Sequence, residues 1–110
     1  MHIPRSSLEQ LVREIEAVNQ VWKNARELFG ETSPFATGAR ALKTCLQIRL
    51  LRDFAPDQVY LVIDSEVGEE PLYGLQLRER IAGRTDAAHL PVRVAKNAFT
   101  PAERNKFQRR

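Results

Sequence analysis

Leu8-Glu-Gln-Leu-Val-Arg-Glu-Ile-Glu-Ala-Val-Asn-Gln-Val-Trp-Lys-Asn-Ala-Arg-Glu-Leu-Phe29 is the stretch that decides the fold. Leu8, Leu11, Ile15, Val18, Trp22, Ala25 and Phe29 alternate at spacings of three and four, an unbroken heptad pattern. A helix over these residues runs roughly 33 Å at 1.5 Å per residue. Ser7-Leu-Glu-Gln10 has the form of a capping box at its start, with Ser6 and Glu9 as the alternative pair one residue earlier, and Gly30 is a C′ residue at its end. Val12, Val21 and Leu28 flank the heptad seam and widen it. A stripe that broad suits a globular bundle better than a narrow coiled coil, and Trp22 and Phe29 at a positions argue against a simple parallel dimer. Something must cover it, either the rest of the chain or a second copy.

Outward from this helix, Glu31–Thr37 reads as a loop with Pro34 holding Ser33 extended. Thr37 is placed to cap a second helix from Gly38 to about Phe54. Its apolar residues lie all round the wheel, so it is expected to be the central buried helix. Arg40, Lys43, Arg49 and Arg52 on it then need water or carboxylates, and Glu14, Glu16 and Glu27 are the expected partners. Val59-Tyr-Leu-Val-Ile63 is a strand whose unbroken run suggests burial on both faces. Residues 71–82 admit a helix, with Pro71 at N1 and Gly83 at C′. The alternation Tyr73-Gly-Leu-Gln-Leu-Arg78 and the interior Gly74 favour a strand instead. Leu90–Val94 is read as a third strand, and Thr100-Pro-Ala-Glu103 as cap, N1 and capping-box acid of a short basic C-terminal helix.

The expected fold is therefore α+β: two N-terminal helices packed on a small three-stranded sheet, in one domain over residues 1–110, with residues 105–110 a frayed basic tail. The N-terminus has no signal-peptide core, no apolar run approaches membrane-spanning length, and the single cysteine fits a reducing compartment. A cytoplasmic protein with no membrane association is expected.

Charge is uneven. Residues 78–110 hold nine of the 17 Lys and Arg but only three of the 14 acids. Arg78, Arg80, Arg84, Arg93, Lys96, Arg104, Lys106, Arg109 and Arg110 would serve a polyanion if they shared one face, whereas a solvated surface is the plainer reading. Stacking residues are few there (Tyr73, Phe99, Phe107), and no helix-turn-helix is legible.

Signals for chemistry are sparse. His2, His89 and Cys45 match no zinc spacing, and Cys45 among leucines reads as a small buried hydrophobe. Asp64, Glu66, Glu69 and Glu70 cluster at the end of the first strand, where a metal-binding loop and a polar hairpin turn compete. No nucleophile elbow or phosphate-binding glycine loop is present. Gly83-Arg-Thr-Asp-Ala87 resembles the loop of the tRNA pseudouridine synthases in which the catalytic aspartate follows Arg-Thr. That resemblance implies Asp86 as the residue acting on a flipped uridine. The family continues Gly-Val-His where this chain has Ala88-His89, the match covers five residues, and those enzymes use a domain more than twice this length. Without the resemblance, the string is a turn with Asp86 bonding its own backbone and Arg84 exposed.

By elimination the expected role is a small non-catalytic protein–protein interaction factor, regulatory or assembling, without a cofactor. Val12, Val21, Trp22, Leu28 and Phe29 would meet a protein partner or the second copy of a homodimer. RNA or DNA binding through the basic third is the alternative, and an acid-dependent enzyme at Asp64 or Asp86 is the remoter one.

Overall fold

The computed structural model describes residues 7–64 and 70–108. In chain order these form α1 (Leu8–Phe29), α2 (Pro34–Phe54), β1 (Val59–Asp64), β2 (Leu72–Ile81), β3 (Arg84–Pro91), α3 (Val92–Ala98) and α4 (Pro101–Phe107). The strands make an antiparallel sheet in the order β1-β2-β3, and α1 and α2 form a helical hairpin packed on it. The α+β expectation holds. The expected turn at Val67-Gly68, the acids Glu66 and Glu69, His2, and Arg109 and Arg110 lie outside the described residues.

α1 has the expected bounds. The Ser7 hydroxyl accepts from the Gln10 N–H at 3.0 Å, and Gly30 follows at φ 90°. Only half the capping box forms, because the Gln10 side chain donates to Glu14 instead of returning to the cap. Leu11, Val12 and Ile15 enter the core beside Leu50 and Leu51 of α2, Val59 and Leu61 of β1, and Leu75 of β2. Ala95, Phe99 and Phe107 close that core from the C-terminal side, with the two rings edge to face at 4.9 Å.

Several expectations need correction. α2 begins at Pro34 rather than Gly38: Ser33 is the cap, accepting from the Ala36 N–H at 3.1 Å, and Pro34 occupies N1, where its missing N–H costs nothing. The Thr37 hydroxyl folds back onto the Ser33 and Pro34 carbonyls. Nor is α2 the central buried helix. Its covered residues are Ala36, Lys43, Gln47, Leu50 and Leu51, while Phe35, Leu42 and Cys45 are exposed. A hairpin on one sheet can cover only one stripe of each helix, so an apolar circumference leaves residues outside. The acids of α1 do not serve α2 as expected: Glu9 pairs with Arg13, Glu16 with Arg84 of β3, and Arg52 reaches Glu103 of α4 at 3.7 Å.

β1 buries one face only. Val59 and Leu61 point into the core, Tyr60 and Val62 are half-buried, and Ile63 is exposed. The third strand is Arg84–Pro91, not Leu90–Val94. Pro91 ends it, and Val92–Ala98 turns directly into a helix that buries Ala95. The turn before β3 is Ala82-Gly83, both at positive φ. α4 carries the complete capping box expected of Thr100 and Glu103.

Candidate functional site

Two surfaces of the helical hairpin stand out, one on each side of α2. The first is apolar. Val21 and Leu28 on α1, and Phe35 and Leu42 on α2, are each more than half exposed, and Leu28 reaches 73%. Within each helix the two residues are seven apart and so lie on one side. Asn19 of α1 meets Lys43 of α2, and in an antiparallel pair that register sets Val21 level with residues 41–42 and Leu28 level with residues 34–35. At the hairpin's tip the rings of Phe29 and Phe35 lie 5.2 Å apart. Of the residues expected to meet a partner, Val21, Leu28 and Phe29 are therefore on this surface. Val12 is sealed in the chain's own core, and Trp22 turns to the opposite side of the seam. Phe35 and Leu42 join the surface although sequence reasoning had not named them.

The second surface is a cleft of about 330 Å³ between the hairpin and the sheet. α1 lines it with Asn19, Trp22 and Lys23, and α2 with Arg40, Lys43 and Thr44. Arg84, Asp86 and His89 of β3 form the facing wall. Lys43 is 6% exposed; its Nζ donates to Asn19 Oδ1 at 3.3 Å and sits 4.4 Å above the Trp22 ring, against which the Arg26 guanidinium also lies at 4.5 Å. Burial, then repulsion from Arg40, Lys23 and Arg26, lowers its pKa from the ordinary 10.5 to about 8.

On the β3 wall, Arg84 bonds Asp86 Oδ1 at 3.1 Å and Glu16 at 2.7 Å, and Asp86 Oδ1 also accepts from the Ala88 N–H. Burial by itself would raise the Asp86 carboxyl. The Ala88 N–H and the Arg84 guanidinium more than offset this and hold its pKa below the ordinary value. The bond from Asp86 to its own backbone is as expected, but the residue stands in a strand, and Arg84 is half-buried rather than exposed. Asp64 of β1 reaches across β2 to His89 Nε2 of β3 at 2.8 Å. Among the described residues no group of three His, Cys, Asp or Glu side chains is gathered to hold a metal ion.

The described basic residues of the last third do not converge. Arg78 and Arg80 lie near the end of β2, with Arg78 over the Tyr60 ring and donating to the Pro56 carbonyl. Arg93 is at the other end of that strand, paired with Glu70. Lys96 is on α3, and Arg104 and Lys106 are on α4. Of the described members of this set, Arg84 alone lines the cleft. The remaining cleft cations, Lys23, Arg40 and Lys43, come from the first half of the chain; the signal for them was a lysine in the middle of an apolar helix. No helix among the described residues is long and apolar enough to cross a membrane. No protein-family model, curated protein or solved structure matches the chain, so the site is read from its own residues.

Proposed function

We propose that the protein is a small interaction factor, non-catalytic in role, whose working surface is the outer side of the α1–α2 hairpin and whose first partner is a second copy of itself. The observation that carries this reading is the exposure of Val21, Leu28, Phe35 and Leu42 at matched seven-residue spacings beside Phe29. Contiguous apolar patches of several hundred Å² are uncommon on monomers, and burying one is worth about 25 cal/mol per Å². Two hairpins related by a two-fold axis bring these stripes together as a four-helix bundle, the isologous contact in which each patch is its own complement.

Sedimentation equilibrium at tens of micromolar tests it. The expected species has twice the 12.6 kDa chain mass. Leu28→Glu and Phe35→Glu, both at exposed positions and so tolerated by the fold, should each return it to a monomer. A wild-type protein that stays at the chain mass, or a dimer indifferent to both substitutions, removes this surface from consideration.

A further inference from the structure

We infer that the cleft between the hairpin and β3 binds a small, multiply charged oxyanion, the phosphate or polycarboxylate group of a small molecule, seated against the Lys43 ammonium. Lys43 carries the argument. An ammonium has three donors, and here one is used, in a long bond to a neutral amide oxygen. No carboxylate lies within ion-pair distance of it among the described residues. Buried charges are ordinarily paired, because desolvation is costly without compensation.

The surroundings raise that cost instead of relieving it. Lys23 and Arg40 line the same cleft, and Arg26 lies on the same indole ring. The acids nearby are committed elsewhere: Asp86 and Glu16 both hold Arg84. Cations from two helices thus converge on a concavity whose volume falls in the range of small-molecule sites. An anion there gains ionic hydrogen bonds and cancels the repulsion among the cations, so its binding should also stabilise the fold. A recessed lysine at the bottom of a small cleft suits a compact anion better than an extended polyanion backbone.

Trp22, the only tryptophan of the chain, lies in this cleft and reports on it directly. Inorganic phosphate and citrate are titrated separately against Trp22 emission, with sodium chloride holding ionic strength constant. The expected result is a saturable change with at least one of them, accompanied by a rise in Tm; which anion saturates identifies the group. Lys43→Met keeps the apolar stem and should weaken binding by roughly 10- to 100-fold, as loss of a charged hydrogen-bonding partner does. Arg40→Gln, at an exposed position that the fold does not depend on, should weaken it less. Lys96→Ser, outside the cleft, should leave it unchanged. The inference is overturned if neither anion gives a saturable response in the folded wild type, or if both cleft variants bind as the wild type does.

Discussion

α1 and α2 are 22 and 21 residues long, joined by a four-residue turn, yet they contribute differently to the core. α1 keeps Leu11, Val12 and Ile15 inside and most of its charges outside. α2 hides a lysine and a glutamine while leaving a phenylalanine, a leucine and a cysteine in solvent. The first helix follows transfer free energy over its N-terminal half and departs from it beyond, where Asn19 is buried while Val21, Leu28 and Phe29 are exposed. The second is shaped by partners: Gln47 is wholly buried because its Nε2 donates to the Ala87 and His89 carbonyls at 3.0 and 3.1 Å, and Lys43 is buried where α1 and β3 form the cleft. Burial of polar groups against the hydrophobic gradient therefore marks the face of the hairpin with specific work to do, and exposed apolar groups mark the other.

The sharpest way to break this contrast is to exchange the positions tested. Ile15→Ala, in the α1 core, should cost about 2–5 kcal/mol, whereas Leu42→Ala on the outer side of α2 should change monomer stability by no more than about 0.5 kcal/mol. Urea denaturation read by circular dichroism, at a concentration where the protein is monomeric, measures both, and a similar loss at the two sites would mean that Leu42 is packed within the monomer. Next in size is Gln47→Leu. Its volume fits, but two strand carbonyls lose their donor, and a loss of about 1–3 kcal/mol is expected for each group left buried and unpaired. The substitution also removes the buried, unpaired Gln47 Oε1, and a neutral result would show that this relief, or water at the carbonyls, offsets the lost donor.

The pH dependence from Lys43 tests the buried side of α2 in a different way. Its pKa is lower in the folded state than in the unfolded chain, so between about 8 and 10.5 the unfolded state binds more protons. Stability must then rise with pH through that window and show no pH dependence from this group below it, where its cost is constant. The difference between wild type and Lys43→Met should shrink as pH rises from 8 to 10.5. A difference independent of pH would place the ammonium in water.

The same contrast explains what the chain discloses in one dimension. α1 was legible to its ends because its apolar residues share a side and its caps are adjacent to it. In α2 apolar residues surround the axis, and the contacts that select the inner side lie 24 residues away at Asn19 and 40 and 42 away at Ala87 and His89. No local pattern encodes them. β3 escaped notice for a different reason. Its register against β2 shifts between Gly74 and Gln76, Ala88 sits at φ 65°, and consecutive Ala87 and Ala88 are both buried, so the strand lacks the period of two that identifies one. Val92-Arg-Val94 has that period by coincidence over three residues and is helical. Of the apolar surface, Val21, Leu28 and Phe29 could be read from the stripe on α1. The cleft could not, since it exists only where three distant segments meet.

The two hydrogen bonds from Gln47 also set how many neighbours this sheet can accept. An unpaired strand edge is a template for another strand, and β3 would be such an edge. Its outward carbonyls at Ala87 and His89 are instead occupied by an amide from the protein's own helix. A strand arriving at this margin would first have to displace that amide, which the core holds in place. Strand addition at both margins, which a linear polymer of sheets needs, is thus opposed at β3 by a single buried glutamine.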